Sequence, residues 1–137
     1  MKSRVFLDTN ILVYADDADS GAKRDRAQQI VEAALTNGNG VLSTQVLQEY
    51  FVVATKKLGL PADSVQKKIE ILSSMAVIVV DVEHIVEAIK LHRLYGLSFW
   101  DCLVLRCAKA AGCRRLLSED FQHGRAIEGV AIENPFA

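Results

Sequence analysis

Apolar residues are distributed along this chain in two patterns, short unbroken runs and longer stretches at helical spacing. The run RVFL at positions 4 to 7 stops at Asp8, and Val5, Phe6 and Leu7 suit a strand buried on both faces. Asp8 then sits at the C-terminal end of that strand. A short helix is expected over 11–17 and a longer one over 22–36, where Ala27, Ile30, Val31, Ala34 and Leu35 form one stripe. The Asn-Gly-Asn-Gly run at 37–40 ends it. Val41 and Leu42 begin a second strand, and Ser43 or Thr44 can cap the helix that follows. That helix, over 45–58, carries Val46, Leu47, Tyr50, Phe51, Ala54 and Leu58 at helical spacing up to Gly59. Further helices are expected over 62–74, 82–95 and 98–111. The last of these has Trp100, Leu103, Val104, Cys107, Ala108 and Ala111 turned inward and Gly112 as its stop. A third strand is expected over 75–80, a fourth at Leu116 and Leu117, and a fifth over 130–132.

Short apolar strands separated by helices, with almost no two-residue hairpin signal, predict an α/β domain with a mainly parallel sheet of roughly five strands. In such folds ligands collect outside the C-terminal ends of the strands, where Asp8 and Asp120 would lie. The 137 residues, 50% of them hydrophobic, suffice for one core and are too few for two ordinary domains, so residues 1–137 are expected to form one unit. No apolar run approaches the roughly 18 residues of a membrane span, which predicts a cytoplasmic protein with no membrane partner.

Charge limits the function classes. With 16 Lys and Arg against 17 Asp and Glu, the net charge of -1 excludes a polycation that binds nucleic acid by bulk attraction. Local basic residues would have to do that work, and Lys56, Lys57, Arg106, Lys109, Arg114, Arg115 and Arg125 are the candidates. Cys102, Cys107 and Cys113 match neither a CxxC pair nor a zinc framework and read as reduced structural thiols. His84, His92 and His123 are too scattered for a metal pair and suit solvated or packing roles. No G-x-S-x-G elbow supports a serine hydrolase.

The acids are more informative. Phosphodiester hydrolysis needs an activated water and relief of negative charge on the phosphate, and hard divalent cations held by carboxylates supply both. Asp8 and Asp120 follow strands, Glu49 lies about one turn into a helix, and Asp101 lies in the first turn of another. A parallel sheet can bring all four to one edge. Each also has a simpler explanation. Asp8 can cap a helix, Glu49 can be solvated, Asp101 completes the capping pattern Ser98-x-x-Asp101, and Asp120 can be a turn residue. Spacing alone leaves both possibilities open.

The segment Phe6-Leu7-Asp8-Thr9-Asn10-Ile11-Leu12-Val13-Tyr14 resembles the opening motif of the PIN-domain nucleases, in particular the VapC-type toxins of toxin-antitoxin pairs. Three further matches follow in order: STQVLQE at 43–49, LSFWD at 97–101 and LLSED at 116–120. The resemblance covers nearly the whole chain. It implies a compact α/β/α sandwich and a metal-dependent endoribonuclease that hydrolyses RNA by in-line attack of an activated water. Asp8, Glu49 and Asp101 match the family's main acidic positions and Asp120 its variable fourth, with Mg²⁺ or Mn²⁺ as the implied cofactor. Asp120 is preferred to Glu119 because the family's Ser/Thr-x-Asp pattern fits Ser118-Glu119-Asp120. Asn10 and Ser98 match polar positions that support the acids. The resemblance also implies a homodimer and an antitoxin that lays a hydrophobic helix and a basic arm across the site, and Tyr50, Phe51 and Val52 are candidates for such an interface.

Three alternatives stay open: a PIN-like RNA-processing nuclease that is not a toxin, a haloacid-dehalogenase-like phosphatase, and a catalytically silent domain that binds RNA or protein. The phosphatase needs a second Asp two positions after the first, and the chain has Asn10 there.

Overall fold

Phe6 and Leu7 are completely buried, which is what a central strand of a parallel sheet demands of its residues on both faces. They belong to β1 (Val5–Leu7) of a computed structural model that describes residues 2–121 and 124–137. His123 lies outside the described residues. After β1 come α1 (Thr9–Asp16), α2 (Ala22–Asn37), β2 (Gly40–Ser43), α3 (Thr44–Lys56), α4 (Ala62–Leu72) and β3 (Ala76–Ile78). The chain continues through α5 (Val82–Tyr95), α6 (Phe99–Ala110), β4 (Arg115–Leu117), β5 (Ala126–Ile127) and β6 (Val130–Glu133). Among the described residues no helix is long and apolar enough to cross a membrane.

The sheet runs in the order β3-β2-β1-β4-β6-β5, and all neighbours are parallel except β5 with β6. From β1 the chain first builds outward to β2 and β3, then returns to place β4 on the other flank of β1. The gap between the ends of β1 and β4 is therefore the point where the winding reverses, the usual position of a ligand crevice in an open parallel sheet. The helices cover the sheet in an α/β/α arrangement, and the expected apolar stripe of α2 is in place, with Ala27, Ile30, Val31 and Ala34 buried.

The structure corrects two expectations. The sheet has six strands where about five were expected, because β5 and β6 form a hairpin that the sequence did not announce. Its turn, Glu128-Gly129, has φ of 54° and 82°, the left-handed pair that suits a tight hairpin. Such turns are signalled by Asn-Gly or Asp-Gly, and a glutamate at the first position conceals this one. Its carboxylate is held by Tyr95 Oη at 2.9 Å and Lys109 Nζ at 3.2 Å. The second correction is Trp100, which was expected inward and is 61% exposed. The inward stripe of α6 begins only at Cys102, and Trp100 stands in the first turn with its ring edge-on to Phe99.

Gly40 leaves little room where β2 enters the sheet. A Cβ there would lie 2.7 Å from Met75 Sδ and 2.8 Å from the Ala34 methyl. The Met75 side chain can swing aside, but the Ala34 methyl moves only with α2. Gly40→Ala is expected to lower stability by about 1–3 kcal/mol, the usual range for overpacking. An unchanged urea midpoint would show that α2 is free to shift.

Candidate active site

Asp8 occupies the switch point. Its backbone N–H donates to Leu117 O at 3.0 Å, extending the β1–β4 ladder by one residue. Its side chain then caps α1, with Oδ1 accepting from Thr9 N at 2.7 Å, while Oδ2 accepts from Ser118 Oγ at 2.7 Å. Helix capping and site placement, alternatives in the sequence, coincide here. Asp8 is only 4% exposed. Burial pushes its carboxyl up to about 6, against the lowering effect of Ser118 and Thr9, and the negative charges of Asp120 and Glu49 add to the rise.

The other acids come from different elements. Ser43 caps α3 by accepting from Val46 N at 3.3 Å, and that start places Glu49 against α1, where Thr9 Oγ1 donates to Oε2 at 2.9 Å. Gln45, one turn earlier, donates from Nε2 to Glu49 Oε1 at 2.7 Å. Ser98 caps α6 and accepts from Asp101 N at 3.1 Å. Burial raises the Asp101 carboxyl despite the Ser98 contact, and Asp120 and Glu49 raise it further. Asp120 follows β4, with its N–H donating to Ser118 Oγ at 3.1 Å.

Glu119 is turned to a different set of partners. Its carboxylate is paired with Lys23, and the Lys23 ammonium and the Tyr14 hydroxyl hold it below its usual value although burial opposes them. Asn10 supports this loop: its Oδ1 accepts from Glu119 N at 3.3 Å and its Nδ2 donates to Ser118 Oγ at 3.4 Å. Asp120, not Glu119, is the residue whose charge reaches Asp8 and Asp101.

Asp8 and Asp101 therefore each lie within the electric field of Asp120 and Glu49. A groove of about 260 Å³ opens beside Glu49 and Asp120, lined also by Thr9, Asn10, Tyr14 and Lys57. Among the described residues no three His, Cys, Asp or Glu side chains converge tightly enough to enclose an ion, so the carboxylates are neighbours without being a closed cage. None of the four acids has a salt bridge among the described residues. The donor set is purely oxygen, which suits Mg²⁺ or Mn²⁺ and disfavours zinc. One further oxygen, Gln45 Oε1, is buried without a partner.

Thr9, Gln45 and Ser118 were not singled out in the sequence. The signal for Gln45 was its i,i+4 relation to Glu49, and Thr9 and Ser118 sat inside motifs used for their acids. Among the basic candidates, Lys57 lines the groove, whereas Arg115 pairs with Glu133 and Lys109 with Glu128. His84 caps α5 together with Asp81, His92 Nδ1 lies 2.6 Å from Leu97 O, and the three cysteines are buried and free.

The family model of the PIN domain matches residues 5–128. The chain belongs to the PIN-domain family. No curated protein matches its sequence significantly. Among solved structures, a toxin-antitoxin complex from Klebsiella pneumoniae is 26% identical, with 97% of this chain and 98% of that chain covered and a TM-score of 0.70. Mycobacterium tuberculosis VapC20, a sarcin-ricin loop cleaving toxin, is 17% identical, with 82% and 86% covered and a TM-score of 0.69. The DNA-bound VapBC of Salmonella typhimurium is 16% identical, with 98% and 99% covered and a TM-score of 0.69. The last two likenesses bear on the fold alone.

The raised Asp8 carboxyl gives this PIN domain a pH signature in the absence of metal. Below the ordinary value of 3.8, Asp8 is protonated in both folded and unfolded chains and carries no penalty. As pH rises through the window up to about 6, the unfolded chain releases the proton first, so stability falls. Above that window the penalty is complete, about 3 kcal/mol by linkage. Asp8→Asn is therefore expected to stabilise the EDTA-treated protein at pH 8 and to lose that advantage at pH 4, measured by urea unfolding. An advantage that persists at pH 4 would assign the effect to something other than the buried charge.

Proposed function

We propose that this PIN-domain protein is a metal-dependent endoribonuclease that hydrolyses RNA phosphodiester bonds, and that it is the toxin of a type II toxin-antitoxin pair in the cytoplasm. The observation that carries the chemistry is a carboxyl group, Asp8, buried at the switch point in the field of Asp120 and Glu49, the same two acids that act on Asp101, with no cationic side chain paired to any of the four among the described residues. In this reading the four carboxylates hold Mg²⁺ or Mn²⁺. When bound, the cation supplies relief of phosphate charge and a more acidic water.

The chain's own residues have separate tasks. Thr9 and Ser118 fix the carboxylates of Glu49 and Asp8. Asn10 and Ser98 hold the loop before Asp120 and the helix turn that carries Asp101. Lys57 offers a cation for an RNA phosphate along the groove, and the exposed Trp100 offers a face on which a base can stack. No side chain is needed as a covalent nucleophile, because the Ser118 hydroxyl is engaged with Asp8 and the cysteines are buried. The phosphatase alternative is disfavoured at Asn10, whose amide is engaged with Ser118 and Glu119 where that chemistry would need a second carboxyl group.

An antitoxin fits the surface beside the site. Leu47, Gln48, Phe51, Val52 and Ile69 line an apolar groove of about 400 Å³ on α3 and α4, on the helix that carries Glu49. A hydrophobic helix seated there would lie next to the acids. Tyr50, grouped with Phe51 and Val52 in the sequence, is buried instead and hydrogen-bonded to Asp16. The exposed Val82, Ile85, Val86 and Ile89 of α5 form a separate apolar face suited to a second copy of the chain. The 26% identical Klebsiella relative is itself a toxin-antitoxin complex, which supports the partner class.

Asp8→Asn and Asp101→Asn are each expected to reduce Mg²⁺- or Mn²⁺-dependent RNA cleavage by about 1000-fold or more while the far-ultraviolet dichroism stays native. Full activity in both variants would remove the assignment, and hydrolysis of p-nitrophenyl phosphate with phosphate trapped on Asp8 would favour the phosphatase. For the partner, where a small antitoxin-like protein is encoded immediately upstream, Phe51→Glu is expected to abolish its capture without loss of RNA cleavage. Undiminished capture would place that interface elsewhere.

A further inference from the structure

Glu49 owes its placement to other side chains more than the other acids do. It projects from a half-buried position in the body of α3, and Gln48 and Val52 beside it are exposed. A free glutamate at such a site samples several rotamers. Here both carboxylate oxygens are engaged, Oε2 by Thr9 Oγ1 at 2.9 Å and Oε1 by Gln45 Nε2 at 2.7 Å.

Gln45 itself is only 6% exposed. Its amide has two possible orientations, and only the one with nitrogen toward Glu49 gives the carboxylate a donor instead of a second lone pair. That orientation leaves Gln45 Oε1 buried and without a partner. Burying an unpaired amide oxygen costs stability, and a methionine of similar length would fill the same space without that cost. Packing alone therefore disfavours a glutamine at this position, while the orientation of Glu49 requires it.

We propose that Gln45 is a positioning residue of the acidic site, which acts from the side opposite Thr9 to fix the Glu49 carboxylate toward the edge shared with Asp8 and Asp101. The inference rests on the metal-dependent reading above. It extends that reading to a residue that touches neither substrate nor cation and works through Glu49. The buried oxygen follows from this arrangement, because the one amide proton donor that reaches Glu49 fixes where the oxygen must point.

The test is Gln45→Met, with Mn²⁺ affinity measured by calorimetry alongside RNA cleavage and urea unfolding of the metal-free protein. Mn²⁺ binding is expected to weaken about 10-fold, the usual scale for loss of a group that orients a ligand, and cleavage to fall with it. The unfolding midpoint is expected to stay level or rise, because the unpaired oxygen is gone. In a Glu49→Gln background the same change is expected to weaken Mn²⁺ binding no further, since Gln45 acts through that carboxylate. Gln45→Leu serves as the second variant, with the same expectations.

Wild-type Mn²⁺ affinity in either folded variant would overturn the role of Gln45 while leaving the nuclease reading in place. So would losses that multiply with Glu49→Gln, or that track a lowered midpoint, because they describe a packing residue. A wild-type protein that neither binds Mn²⁺ nor cleaves RNA overturns the nuclease reading and this inference together.

Discussion

Pairing of β1 with β4 sets Asp8 and Ser118 side by side at the point where the sheet reverses its winding, and the rest of the acidic edge is organised around that contact. Asp8 ends a strand whose preceding residues are fully buried, so its carboxyl group enters the protein interior by necessity of register. Two donors, the Thr9 amide and the Ser118 hydroxyl, offset part of the cost, and burial still dominates. Ser118 is committed three ways at once, donating to Asp8 and accepting from Asp120 N and Asn10 Nδ2. One hydroxyl thereby joins two acids from strands that are distant in sequence.

Much of this geometry was legible in the chain. A buried three-residue run ending in an acid marks a central parallel strand, and the helical stripes of α2 and α3 followed from their spacing. The ordered motifs marked Asp8, Glu49, Asp101 and Asp120, and the structure puts Asp8 and Asp101 each within the field of Glu49 and Asp120. What escaped detection depended on contacts between segments. The β5–β6 hairpin hides behind a glutamate in a left-handed turn that is held by partners on α5 and α6. Trp100 fits the apolar spacing of α6, yet it lies in the first turn, ahead of the stretch from Cys102 that packs on the sheet. Asp120 was preferred to Glu119 on the Ser118-Glu119-Asp120 pattern alone; the contact that turns Glu119 away comes from Lys23, a residue of α2 that no local motif connects to the loop after β4.

The PIN-domain fold and the arrangement of the acids make separate contributions. Family membership accounts for the sheet order and the switch point. In the proposed function the acids carry the chemistry, because carboxylates near one another without cationic partners would gain from a divalent ion. The apolar groove on α3 and α4 and the apolar face of α5 are distinct from both, and they describe how such a site could be covered or paired.

The most direct measurement is anomalous diffraction from crystals grown with Mn²⁺. If the acidic edge is a metal site, the difference map carries a peak bounded by Asp8, Glu49, Asp101 and Asp120, with Glu119 still turned to Lys23. A map from crystals saturated with Mn²⁺ that shows peaks only elsewhere on the protein would contradict the assignment.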